Sequence, residues 1–335
     1  MRMLFQWVIC VLVVVCSVSI SVGQEHRVVP LQEIVLAGDI AKAESQISGM
    51  AWWRNTLVLL PQYTDWRRGK SVLYTIPEKT IRVCLDAETP MPITPEELPI
   101  VVPKSISAHA GFEGLEAILI IQDRVYVTVE ISHKGIMQAY LATGTITKTG
   151  VMLAETLIPL PVPLQISNMA FESLSAYQND VIAFFEANSP RLPVRSVAYL
   201  CEKGIAPCVP LPLEGVMFRI TDATRSNSRR QLWVLNQSFK AIEKKLQSTM
   251  ATDPCSTLLG NTKGYGEVMP FLLTTEDIRR DTSRPVLCIQ MQHVDKRIPN
   301  FEGLVRLDRK GFLVITDAYP RTLFGFVEYD DALQQ

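Results

Sequence analysis

The tetrapeptide Phe-Glu-Gly-Leu is written twice in this chain, at residues 112–115 and 301–304. A related Phe-Glu-Ser-Leu stands at 171–174, and two looser versions, Ile-Ser-Gly-Met at 47–50 and Ile-Thr-Asp-Ala at 220–223, complete a set of five. Each leads into a run of β-branched and aromatic residues, a tight turn, and a second such run ending on a polar residue. The opening residues are Ser48, Glu113, Glu172, Thr221 and Glu302; the closing ones are Gln62, Glu130, Glu186, Asn236 and Asp317. Openings and closings are 14, 17, 14, 15 and 15 residues apart. Hairpin arms of nearly equal length set the two ends side by side. The openings recur at intervals of 65, 59, 49 and 81 residues, and a repeated antiparallel unit of roughly 40–60 residues marks a β-propeller.

The expected fold is therefore all-β, a β-propeller of antiparallel sheets around a central channel. Five blades is the first reading; six stays open, because the longest interval holds another strand candidate at 284–294. Ring closure is expected from a strand within 27–37 pairing with the last unit, where 322–329 ends the pattern. One helix is expected over 236–250. The proline-rich stretches 86–103 and 157–165 read as strand-ending surface loops.

Residues 1–23 read as a signal peptide: Arg2, an apolar run, then small residues ending Ser21-Val22-Gly23. An uncleaved anchor is the alternative, since Met3 to Val22 is just long enough to cross a bilayer. Residues 24–335 then form a single propeller domain, expected to be secreted or periplasmic. With the leader gone the net charge is about −2. No basic block points to nucleic acid, and no second apolar segment is long enough to span a membrane. Five cysteines remain, too few for a disulfide-built fold. Cys201 and Cys208 are a candidate local disulfide, with two unlinked thiols as the alternative. No metal-binding cysteine or histidine spacing appears.

On the inner strands of a propeller, equivalent positions point toward one axis, so Glu113, Glu172 and Glu302 should converge with the hydroxyls of Ser48 and Thr221. Three carboxylates about 5 Å apart repel by roughly 3 kcal/mol per pair at an effective dielectric near 20. Protonation or a cation relieves that repulsion. An all-oxygen set suits Ca2+ better than zinc or copper. Gln62, Glu130, Glu186, Asn236 and Asp317 would form a supporting layer. The plainer alternative makes the repeated polar residues hydrogen-bond ties between blades, with no ion.

These motifs, together with "NMAFESL", "RITDA…LWVLN" and "NFEGLVRLD…GFLVITDAYPRTLF", resemble the esterase-like, phytase-like β-propeller family of secreted bacterial proteins. The order Ser, Glu, Glu, hydroxyl, Glu is more distantly similar to the calcium-activated nucleotidases (apyrases), five-bladed propellers with an axial calcium. The resemblance implies a calcium site at Ser48, Glu113, Glu172, Thr221 and Glu302, and a phosphoester or phosphoanhydride as substrate. Such chemistry needs positive or polar groups around the phosphoryl group. Candidates flanking the motifs are Arg219, Arg297, Asn300, Arg321 and His109. No Gly-x-Ser-x-Gly elbow supports a serine esterase. The competing function class is a binding or scaffold propeller braced by a structural ion.

Overall fold

The computed structural model describes residues 23–66, 69–260, 263–291, 299–318 and 321–330. The leader read as a signal peptide lies outside them except for Gly23. The strand β1 (His26–Ile34) precedes five antiparallel meanders. The first contains β2 (Ile47–Trp53), β3 (Thr56–Pro61), β4 (Val72–Pro77) and β5 (Glu96–Val101). The second contains β6 (Phe112–Ile121), β7 (Arg124–His133), β8 (Ile136–Thr147) and β9 (Gly150–Leu160). The third contains β10 (Ser173–Tyr177), β11 (Asp180–Phe184), β12 (Val197–Cys201) and β13 (Val209–Pro212). The fourth contains β14 (Arg219–Ala223), β15 (Gln231–Phe239), β16 (Gly264–Leu273), the short β17 (Ile278–Arg280) and β18 (Val286–Gln290). The fifth contains β19 (Phe301–Leu307), β20 (Gly311–Thr316) and β21 (Phe324–Glu328).

The innermost strands β2, β6, β10, β14 and β19 each touch the next, and β19 returns to β2. The architecture is a β-propeller. β1 closes the ring: Leu31–Ile34 pair antiparallel with β21, while His26–Pro30 pair parallel with β18. The segment that could have made a sixth unit supplies β18, the outer strand of the fourth.

Packing explains the apolar letters of the repeat. Met50, Leu115, Leu174 and Leu304 are all buried between neighbouring sheets, as alternation along a strand requires. The motif phenylalanines pack the strand ends: Phe112 meets Tyr63 of the first unit edge-on at 6.1 Å, Phe171 sits edge-on to Phe185 and Tyr199 of its own unit at 5.8 Å each, and Phe301 is fully buried among fourth- and fifth-unit side chains. Each such ring contributes about 1.5–3 kcal/mol by leaving water.

Two local expectations need correction. The helix over 236–250 is shortened to Lys240–Leu246, a 3-10 turn at Lys240–Ile242 running into an α-turn at Glu243–Leu246, because Asn236–Phe239 extend β15 against β16. The ladder bonds to Gly264–Glu267 outweigh local helix preference. Within the proline-rich stretch 86–103, Glu96–Val101 form β5, an outer strand.

Cys201 and Cys208 are bonded, and so are Cys255 and Cys288, 33 residues apart. The second bond ties the helix Pro254–Leu259 to β18. Closing a loop of that length is worth about 3–4 kcal/mol through the unfolded chain. Cys255→Ser/Cys288→Ser is expected to lower the unfolding free energy by that amount in urea melts. The equivalent change at Cys201/Cys208, which closes a shorter loop, should cost less.

Candidate functional site at one end of the channel

Four of the five opening residues sit in β-bulges. Register slips between Ile47 and Gly49, Phe112 and Gly114, Ile220 and Asp222, and Phe301 and Gly303. Ser48, Glu113, Thr221 and Glu302 are thus the extra residues, and Glu172 lies just ahead of β10. A bulge releases one residue from the ladder and re-aims its side chain. The glycine that follows is needed for close approach: a Cβ on Gly303 would lie 2.5 Å from Ile315 Cγ2 and 3.0 Å from Met50 Cγ.

The bulged strand ends frame a cavity of about 380 Å³. Six carboxylates line it, from Glu113, Glu116, Glu130, Glu172, Glu302 and Asp317, against the single guanidinium of Arg219. Gln62, Tyr63, Asn168 and Asn300 add neutral polar groups. The structure therefore brings together the three motif glutamates. It does not bring Ser48 and Thr221 to this wall: Ser48 donates to the Leu115 carbonyl at 2.6 Å and Thr221 to the Phe301 carbonyl at 2.8 Å. Each hydroxyl ties one inner strand to the next.

The closing residues tie units together in the same sense. Gln62 donates to the Glu113 carbonyl at 3.2 Å and to Glu116 Oε1 at 2.9 Å. Glu130 Oε1 accepts from the Phe171 N–H at 2.8 Å. Glu186, fully buried, accepts from Arg219 Nη1 at 2.7 Å. In the fourth unit the neighbour Gln237 takes this role, accepting from the Phe301 N–H at 3.2 Å. Asn236 turns outward along its sheet to Glu267 Oε2 at 3.0 Å.

Arg219 is the electrostatic hub. Its side chain is 6% exposed and lies 3.5 Å from Glu172 and 3.8 Å from Glu302. Its Nη2 donates to Asn300 Oδ1 at 2.7 Å, and Asn300 in turn donates to Glu302. The guanidinium carbon stands 5.3 Å from the Phe239 ring centre. Burial works against its charge, but Glu172, Glu186 and Glu302 more than offset that and hold it protonated.

One guanidinium cannot balance this many acids. Burial, reinforced by Glu172, pushes Glu130 up to about 8. Burial, partly offset by Arg219, pushes Glu186 up to about 7. Glu116, Glu172 and Glu302 are raised well above the carboxylate range by burial and then by neighbouring acids, chiefly Glu130, Glu186 and Asp317 respectively. Glu172 Oε2 and Asp317 Oδ1 are buried without a hydrogen bond, Glu172 Oε2 facing Arg219 Nη1 only at 3.5 Å. At neutral pH this cavity holds protons or a cation.

The remaining candidates lie elsewhere. His109 is in an exposed turn, its Nδ1 accepting from the Gly111 N–H at 3.2 Å. Arg321 reaches out to Glu33 at 2.7 Å. Arg297 lies outside the described residues. Glu116 belongs to the wall but escaped the repeat-based reading. Strict alternation would put Glu113 and Glu116 on opposite faces, whereas a second register slip between Leu115 and Ile118 accompanies both facing the cavity. The visible signal was the second acid of "FEGLE".

No protein-family model and no curated protein matches the chain. Solved structures do. A GH43_1 enzyme from Xanthomonas citri, complexed with xylose, aligns over 90% of this chain and 93% of its own at 6% identity and a TM-score of 0.51. An α-L-arabinofuranosidase from Podospora anserina aligns over 92% and 98% at 9% identity and a TM-score of 0.47. A Bombyx mori GH32 β-fructofuranosidase gives 13% identity and a TM-score of 0.41, with this chain spanning 56% of its length. The likeness establishes the propeller. It does not establish membership of the esterase-like, phytase-like family.

Proposed function

We propose that the acidic cavity is a hard-cation site, calcium foremost, in a hydrolase-type propeller. The observation that carries the reading is the charge imbalance: Arg219, hydrogen-bonded to Glu186 and ion-paired more loosely with Glu172 and Glu302, is the one cation among the residues lining a wall of six carboxylates. The donor set fits such an ion, being entirely oxygen and including the unsatisfied Oε2 of Glu172 and Oδ1 of Asp317. Among the described residues no three of these groups bring oxygens within 4.8 Å of one another. An ion would therefore be held directly by one or two of Glu113, Glu172 and Glu302, and through water by the others. Bound there, it would polarise a phosphoryl oxygen and lower the pKa of a water. A phosphoester or phosphoanhydride could enter only after such neutralisation, because six carboxylates repel an anion. Arg219 and Asn300 would position Glu172 and Glu302. The two disulfides fit an oxidising compartment, consistent with a secreted or periplasmic protein.

The test is hydrolysis of p-nitrophenyl phosphate, ADP and phytate by purified protein, with calcium and with chelator. Calcium-dependent turnover is expected, falling by about 100-fold or more in Glu302→Gln. Absence of both turnover and calcium binding would discard the proposal.

A second reading rests on the acids held protonated near neutrality. Cleavage of a glycosidic bond needs one protonated and one ionised carboxyl and no metal. Turnover of p-nitrophenyl xyloside or arabinofuranoside that survives chelator would favour it. Calcium binding with no turnover of any substrate would leave the scaffold propeller with a structural ion.

A further inference from the structure

A second pocket, of opposite charge, lies between the fourth and fifth units. The acids cluster where the inner strands begin; where β14 and β19 end, the segments 224–231 and 306–309 frame another cavity of about 380 Å³. The seven residues of β19 separate the two pockets by about 20 Å at the usual rise per residue. Arg225, Arg229, Arg284, Arg306 and Arg309 line this pocket, and its one carboxylate is Asp308. Asp308 is already paired with Arg82, which reaches it from outside. Arg284 leans on Asp281 at 3.5 Å. Among the described residues no carboxylate pairs with Arg225, Arg229 or Arg309.

The pocket is also built rather than incidental. Arg306 lies across three packed rings, 4.4 Å from the centre of Phe312, 5.4 Å from Tyr329 and 6.0 Å from Trp233. Arg225 Nη1 donates to the Ile120 carbonyl at 3.4 Å, joining the pocket to the second unit. Guanidinium groups recognise phosphate oxygens through paired N–H donors. Several of them around one concavity can take up more charge than a monoanion carries. The concavity is open to solvent, and its volume matches a compact ligand.

We propose that this arginine pocket binds a multiply charged phosphate group, either as free pyrophosphate or as the phosphate of a small ester. It stands apart from the acidic cavity and does not depend on the reading given to that site. Isothermal titration with sodium pyrophosphate, inorganic phosphate and glycerol 3-phosphate, all in chelator, tests it on the full chain. Chelator removes any phosphate carried by a metal at the acidic end. Pyrophosphate is expected to bind at one equivalent, with affinity falling steeply as salt is raised. Arg229→Ala/Arg309→Ala, two exposed loop positions, should weaken it by tenfold or more; Arg229→Lys/Arg309→Lys should weaken it less. Arg195→Ala, an exposed arginine elsewhere, and Glu302→Gln should leave it unchanged. Tighter glycerol 3-phosphate than pyrophosphate binding would assign the site to an ester, and the reverse to free pyrophosphate. Absence of binding by all three anions, or pyrophosphate binding indifferent to the double alanine change, would overturn the proposal. Heparin binding that pyrophosphate cannot displace would overturn it too, assigning the face to a polyanionic polymer.

Discussion

Arg219→Met will destabilise the protein by about 3–5 kcal/mol at pH 8. The cost arises from what is left behind. Glu186 is fully exposed to the loss, because its side chain is 0% accessible and its strongest ion pair is the one with Arg219 Nη1. Glu172, Glu302 and Asn300 lose the same partner. The penalty should shrink on acidification, because protonated Glu186 needs no counter-ion. Removing the charge from both sides, in Arg219→Met/Glu186→Gln, should recover a large part of the loss, as expected when one partner is the main liability of the other. Urea melts of the four proteins at pH 5 and pH 8 give the coupling directly. A double variant no more stable than Arg219→Met would show that Arg219 acts through packing on Phe239 rather than through charge.

The same residues show how far sequence alone could reach. The repeat was legible because it answers a geometric demand that recurs at every unit: an apolar wedge, a bulged polar residue and a small residue against the neighbouring sheet. Phe301, Glu302 and Gly303 meet all three demands, and so do Phe112, Glu113 and Gly114. Ring closure by β1 was legible for a related reason, since an edge strand at each terminus needs a partner. What the letters could not separate is a side chain aimed at the axis from one aimed at the adjacent strand. Glu302 and Thr221 hold equivalent positions, yet one lines the cavity and the other bonds a carbonyl, because a threonine hydroxyl is too short to do both. Arg219 could be singled out by its nearness to a motif, but not as a counter-charge. Its partners Glu172, Glu186 and Glu302 come from other units and become neighbours only when the ring closes. Cys255 and Cys288 were unreadable as a pair because 33 residues, including all of β16, separate them within the fourth unit.

The largest solvent-dependent effect should be a loss of stability with rising pH in the metal-free protein. Glu130 in the fold holds its proton up to about 8, and Glu186 up to about 7, whereas both would release it near 4.5 when unfolded. The folded chain thus binds more protons than the unfolded one across that window. Their contribution is whole below about pH 4.5 and disappears as pH rises through 7 to 8. Each carboxyl that titrates removes about 1.4 kcal/mol per pH unit within its own window. Glu116, Glu172 and Glu302 are shifted in the same direction and extend the slope. Melting temperature in chelator should therefore fall from pH 5 to pH 9, against the trend of an ordinary surface-acid protein. Calcium should flatten the curve, because a divalent ion replaces the protons, and its affinity should rise with pH as those protons become easier to displace. A flat profile in chelator would mean that the wall carboxylates are compensated by something other than protons. A profile steep in chelator and equally steep with calcium would leave the acids crowded around a cavity that no such ion enters.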